Sequence, residues 1–196
     1  EQFLLMFVGI ADTFAVSFSG DADVSGVSLV TSFNTVLIFL FTALSSGGAV
    51  ITSQYIGGKN KKAASRSAGQ LLMISTVISM IMAALILVFR TQLLRLLFGK
   101  IEADVMAACE SYLWITTLSL PFLAIYDAGA ALCRSIGKTN VTMNVSVIAN
   151  VINVIGNCIG VFVLKTGAAG VAWPSLISRV LSLIHISEPT RHAQIS

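Results

Sequence analysis

Residues 24–56 read "VSGVSLVTSFNTVLIFLFTALSSGGAVITSQYI", and the length of this mainly apolar run decides the fold. A helix needs about 20 such residues to cross a bilayer. As a helix, these 33 residues would extend about 50 Å against a hydrocarbon core of about 30 Å. The run must therefore tilt or project into the cytoplasm. Ser28, Thr31, Thr35, Thr42 and Ser46 recur at steps of three, four and seven residues, which puts them on one helical stripe. That stripe is expected to face protein or water, and the "VLIFLF" side chains to lie largely on lipid and neighbouring helices.

The rest of the chain has the same character. Of 196 residues, 56% are hydrophobic and only 11% charged, against about 25% charged in a soluble domain. Such a surface could not stay dispersed in water, so the chain reads as an all-α integral membrane protein. Its partner is the lipid bilayer. Six stretches can span: 2–18, 24–56, 65–89, 103–134, 139–164 and 168–186. Several are rich in Gly, Ser, Thr and Asn, as helices packed in lipid require. Pro121 and Pro174 interrupt the fourth and sixth, where kinks are expected. No nucleic acid is implied, because the net charge of +3 is scattered and no basic run is interleaved with aromatics. Cys109, Cys133 and Cys158 stand singly in apolar segments and are expected to be small buried hydrophobes.

Lys and Arg in short loops orient the spans. "GGKNKKAASRS" carries Lys59, Lys61, Lys62 and Arg66, and a second loop carries Arg134 and Lys138. On the opposite side lie the acidic "SGDAD", Lys165 and "RTQLLRLLFGKIEAD", whose charges nearly cancel. The cationic loops are expected inside a cytoplasmic membrane, with the amino terminus in the cytoplasm and Asp21 and Asp23 in an external loop. Residues 91–99, "TQLLRLLFG", read as a short amphipathic helix on the outer interface. The chain begins at Glu1 within a hydrophobic segment and reads as a fragment. From Leu183 onward, "SEPTRHAQIS" breaks the sixth pattern and resembles a translated sequencing adapter. Residues 183–196 are therefore expected to be a non-native tail, and His185 and His192 are assigned no function.

No phosphate loop, Ser/His/Asp set or HExxH is present, so neither an enzyme nor nucleotide-driven transport is expected of this chain. Two features carry chemistry instead. Asp12 sits within the apolar run "VGIADTFAVS"; a carboxylate near mid-bilayer costs about 2.5–3.5 kcal/mol and is retained where it pairs, protonates or binds a cation. Ser146, Asn150, Asn153 and Asn157 follow at steps of four, three and four, another single stripe. Three aligned asparagines exceed what adhesion between helices requires and suggest a polar cavity or ion site. Glu110 and Asp127, the latter seven residues before Arg134, are expected to pair or be solvated near the interfaces.

"GIADTFAVS" with the acidic turn and "VSGVSL", then "SSGGAVITSQYIGGKNKKAA", "LPFLAIYDAGAALCRSIGKTN", "NVINVIGN" and "GAAGVAWPSLISR", resemble in order and spacing the MATE family of multidrug and toxin extrusion transporters, over residues 1 to about 182. The resemblance implies a twelve-helix, two-lobe transporter working by alternating access, of which residues 1–182 are the amino-terminal six-helix lobe. It implies cation coupling through Asp12 with Asn153 and Asn157, completed by a sixth-helix hydroxyl, Ser175. Many members carry Asp where this chain has Asn157, leaving one charge in the site. The residues independently suit the same role: Asp12 offers charge, while Asn153, Asn157 and Ser175 offer neutral oxygens to sodium or a proton carrier. Asn150, Asn34, Thr35, Tyr126 and Asp127 are candidates to line the cavity.

The expected function is antiport of drugs, toxins or organic cations, driven by sodium or protons. No cofactor beyond that ion is expected, and the partners are small cationic substrates and a second, carboxy-terminal lobe. Two other readings stand beside it. A lipid-linked oligosaccharide flippase of the same superfamily would want several intramembrane cations, which are nearly absent here. A non-transporting scaffold would leave the aligned stripe and Asp12 unexplained.

Overall fold

The computed structural model describes Ile10 and residues 12–193. The first expected span lies partly outside these residues, as does the end of the expected tail at 194–196. Helix α1, at Ile10 and over 12–16, unwinds through a turn at 17–19. Gly20, at φ 133°, redirects the chain there in a conformation open to glycine. The helices that follow are α2 (Asp21–Gly57), α3 (Lys61–Val88), α4 (Arg90–Phe98), α5 (Ala103–Leu118), α6 (Leu120–Ser135), α7 (Thr139–Cys158) and α8 (Ala168–Ala193). A wide π turn, Ile159–Val163, extends α7. By length and apolar composition α2, α3 and α7 with its π turn can each cross a membrane, and the bent pair α5–α6 makes a fourth span when taken as one.

The helix ends follow local chemistry. Asn60 Oδ1 accepts from the Ala63 amide at 3.1 Å, capping α3. Asp21 and Asp23 do not form a loop as expected; they occupy the first turn of α2, where carboxylates meet the positive end of the helix dipole. Helix α4 buries Leu94 and leaves Leu96 83% exposed, the amphipathic pattern expected of residues 91–99. Gly99, at φ 69°, ends it. Thr91 of α4 donates to Glu110 of α5 at 2.8 Å, so Glu110 is paired.

Helices α5 and α6 meet at 46°. Pro121 has no N–H to offer the preceding turn, and Ser119 takes up the slack. Its amide reaches the Thr116 carbonyl at 3.1 Å and its hydroxyl the same carbonyl at 2.6 Å. Near the start of α8 the backbones close up. A Cβ added at Gly170 would lie 2.8 Å from the Gly160 carbonyl oxygen, and one at Gly156 only 2.6 Å from Pro174 Cβ. Gly156 and Gly160 are thus the small-residue pair that lets α7 lie against α8. Phe18 packs on Phe162 with ring centroids 5.1 Å apart, tying the end of α1 to the π turn.

The main core includes Val16, Val27, Phe41, Leu113, Leu120 and Val171. On α2 the buried stripe runs through Val30, Asn34, Leu37, Phe41, Ser45, Ala49 and Thr52. The polar stripe identified in the sequence is rotated away from it: Ser28, Thr35 and Ser46 are exposed and Thr31 and Thr42 half-buried. Large apolar side chains such as Val36, Phe39, Met73 and Met80 point outward, as lipid-facing helices require. Cys109 and Cys133 are buried as expected, but Cys158 is exposed, because it falls on the side of α7 opposite the contact with α8. The expected break at Leu183 does not end the helix, since α8 runs on to Ala193.

Candidate functional site

Three helices supply one hydrogen-bonded relay. Spacing of four residues puts Asn153 and Asn157 on the face of α7 that meets α8, and both are buried. Asn153 donates through Nδ2 to Ser175 Oγ of α8 at 2.9 Å. Asn157 donates through Nδ2 to Asn153 Oδ1 at 3.1 Å and also to Asp12 Oδ1 of α1. Ser175 passes its own proton to the Val171 carbonyl at 3.2 Å. The four expected coupling residues therefore stand together. Asn157 Oδ1 is buried with no hydrogen-bond partner, an unmatched acceptor beside the carboxylate.

The stripe on α7 then divides. Ser146, two turns away from Asn153, shares a 2.7 Å hydrogen bond with the Tyr126 hydroxyl of α6. Asn150 Nδ2, between the two groups, is buried without a partner. The other expected cavity residues scatter. Asn34 is taken up in the α2–α5 contact, where Nδ2 donates to Thr116 Oγ1 at 3.2 Å. Thr35 is exposed and bonds its own helix at Thr31 O, 2.8 Å away. Asp127 is half-buried and accepts from Thr42 Oγ1 at 3.4 Å.

The sequence reading missed Arg179 and Tyr112. Intramembrane arginine was taken as nearly absent, yet Arg179 of α8 points inward and donates to Ser119 Oγ at the α5–α6 bend. Its guanidinium is within electrostatic reach of Tyr112, Asp127 and Asp12. Tyr112 is buried and reaches toward Thr31 of α2 as well as the Asp12–Arg179 pair of charges. The available signal was spacing: Ser175, Arg179 and Ser182 fall at steps of four and three on one stripe.

Bent, closely packed apolar helices thus surround the relay of Asp12, Asn157, Asn153 and Ser175. The MatE family model matches residues 1–159, and the chain belongs to that family. It is 31% identical over 189 residues to the uncharacterized transporter YisQ of Bacillus subtilis (strain 168), covering 94% of this chain and 41% of YisQ. It is 24% identical over 180 residues to the multidrug export protein MepA of Staphylococcus saprophyticus, covering 91% of this chain and 40% of MepA. The fold matches the inward-facing conformation of a multidrug resistance MATE family transporter of the MOP superfamily with a TM-score of 0.88 at 22% identity, over 95% of this chain and 41% of that one. The chain thus spans about two-fifths of the proteins it matches, which is the extent of one lobe of a two-lobe transporter.

Proposed function

We propose that the chain is the amino-terminal lobe of a cation-coupled antiporter that exports drugs, toxins or organic cations across the cytoplasmic membrane by alternating access. The observation that carries this reading is the position of Asn157. It bridges Asp12 and Asn153 through its amide and leaves a buried carbonyl oxygen without a donor beside the carboxylate. That oxygen, with Asp12, Asn153 and Ser175, forms an all-oxygen set suited to a hard monovalent cation; a protonated Asp12 would serve the same oxygen as a donor. Either event neutralises Asp12 and weakens its hold on the Asn157 amide. Helix α1 is then released from α7, which favours one facing state of the lobe over the other. Membership of the MatE family and the export role in MepA's name support the same reading. Residues 1–182 would form the lobe, with the amino terminus in the cytoplasm and the second lobe supplying the other half of the pathway.

The test is efflux of a fluorescent organic cation from vesicles under an imposed sodium or proton gradient, using the full-length transporter. Asp12→Asn should insert normally, since it removes a costly charge at constant size, and its driven efflux should collapse. Asn157→Asp should raise cation affinity by adding a second charge to the same site. Wild-type efflux by Asp12→Asn at equal abundance would make Asp12 structural and defeat the reading.

A further inference from the structure

Two turns at one end of the lobe carry charge that neither the relay nor the packing uses. Lys59, Lys61, Lys62 and Arg66 lie in and just after the α2–α3 turn, Lys138 lies at the α6–α7 turn, and all five are exposed. The turns share an end. Ala68 and Leu72 of α3 pack with Leu132 of α6, while the far end of α3 leads into α4, where Thr91 meets Glu110 of α5. Helix α3 thus runs antiparallel to the α5–α6 pair, which brings Arg66, two residues before Ala68, and the turn after α6 to one surface. No acid occurs between Asp23 and Glu102. Asp127 lies further back within α6, bonded to Thr42, and the next acid after it is Glu188 of the expected tail.

Local structure does not favour these cations. Lys61 and Lys62 sit in the first turn of α3, which has no acid, and Lys138 is the N-cap of α7 without a side-chain hydrogen bond. A helix begins with unpaired amides and the positive end of its dipole, so lysines there add to a field that is already positive. Five like charges on one surface also repel one another. Backbone bonds hold them in place: the Asn60 amide reaches Tyr55 O at 3.0 Å in the first turn, and the Lys138 amide reaches Cys133 O at 2.9 Å in the second. Such a surface is stabilised by an anion supplied from outside the chain.

Neighbouring side chains identify the source of that anion. Tyr55 and Ile56, within one turn of Lys59, and Ile136, two residues before Lys138, are exposed. Apolar and aromatic groups interleaved with cations fit the boundary between acyl chains and headgroups, where a lysine lays its stem on the apolar side and its ammonium on the polar side. A soluble acidic partner offers no acyl chain to cover them.

We propose that this end of the lobe binds anionic phospholipids. Their phosphates are received by the five cations and by the amides opening α7, while Tyr55, Ile56 and Ile136 lie against the acyl chains. The phosphates offset the repulsion between the two turns and so hold them together. The surface is separate from the relay and stands whether or not Asp12 couples an ion.

The test uses the purified full-length transporter in neutral detergent and two short-chain fluorescent lipids with the same acyl chains: phosphatidylglycerol, an anion, and phosphatidylcholine, a zwitterion. Binding is read by fluorescence polarisation with no ion gradient. Phosphatidylglycerol should bind more tightly, its advantage shrinking as salt is raised, and inorganic phosphate at the same concentration should not displace it. Lys61→Gln, Lys62→Gln and Arg66→Gln together should weaken it about fivefold per charge and leave phosphatidylcholine unchanged. Lys61→Arg with Lys62→Arg should keep full binding, which separates charge from folding. Arg90→Gln, Arg95→Gln and Lys100→Gln together, at the opposite end, should cost far less. Asp12→Asn should bind as the wild type does, so failure of the coupling site leaves this result standing. Equal wild-type affinity for the two lipids overturns the proposal, as does an equal loss from the two triple variants. Displacement by inorganic phosphate also overturns it, by making the surface a site for free anions.

Discussion

Substituting Gly156 with alanine adds one methyl group at the tightest point of the α7–α8 contact. The new carbon would lie 2.6 Å from Pro174 Cβ and 2.9 Å from its Cγ, where apolar carbons rest at about 3.5–4.0 Å. A proline ring has no rotamer through which to yield, so the helices themselves must part by about 1 Å. Gly156 lies between Asn153 and Asn157, and Pro174 adjoins Ser175. The 2.9 Å bond from Asn153 to Ser175 would then stretch beyond hydrogen-bonding range. Overpacking costs about 1–3 kcal/mol, and the lost interhelical bond adds about 0.6 kcal/mol. Higher helix propensity returns about 1 kcal/mol. The net expectation is a loss of about 0.6–2.6 kcal/mol by these same magnitudes, with weakened ion coupling. Gly47→Ala and Gly69→Ala are matched controls, since nothing lies within 4 Å of a Cβ at either position; they should be neutral or slightly stabilising. Equilibrium unfolding in detergent reads the stabilities and gradient-driven efflux reads the coupling. Gly156→Ala matching Gly47→Ala in both would refute the packing argument.

Two other outcomes check the topology and the tail. In a background without native cysteines, a cysteine at Asp23 or Lys165 should react with an impermeant thiol reagent added outside, and one at Lys61 or Lys138 should not; external labelling at Lys61 would invert the orientation. Sequencing across the junction near Leu183 in independent genomic clones should show apolar codons replacing "SEPTRHAQIS", and recovery of that string intact would establish it as native.

Much of the fold was legible because its cues are local. Apolar length marked the spans at α2, α3, α5 with α6, and α7, while α8, over the expected sixth span, is not among the helices apolar enough to cross on that measure; alternating leucines marked α4, and Pro121 marked the bend between α5 and α6. The relay was half legible: the four-residue step from Asn153 to Asn157 gives one face, but that this face meets Asp12 and Ser175 depends on how three helices pack. Arg179 was missed although it falls near the middle of the expected span 168–186, because only its contact with Ser119 at the bend shows that it turns inward. Asn34 and Thr35 show the limit of reading polarity alone. They are adjacent, yet a rotation of about 100° between successive residues buries one against Thr116 and exposes the other. The π turn at Ile159–Val163 had no signal in periodicity, since it arises where Gly160 approaches Gly170 on another helix.

Helix α2 has 37 residues and a length of about 55 Å. Membrane helices tilt by at most about 40°, and at that angle α2 still rises about 42 Å along the bilayer normal, some 12 Å more than the hydrocarbon is thick. No permitted tilt hides the excess. One or both ends must stand among the lipid headgroups. At one end the overhang carries the turn that joins α2 to α3, with Lys59 in it and Lys61 and Lys62 opening α3, to the depth where lipid phosphates lie. Thinner and thicker membranes would then be accommodated at the ends of α2, by how far they stand in the headgroup layer, leaving the contacts of α7 with α8 undisturbed.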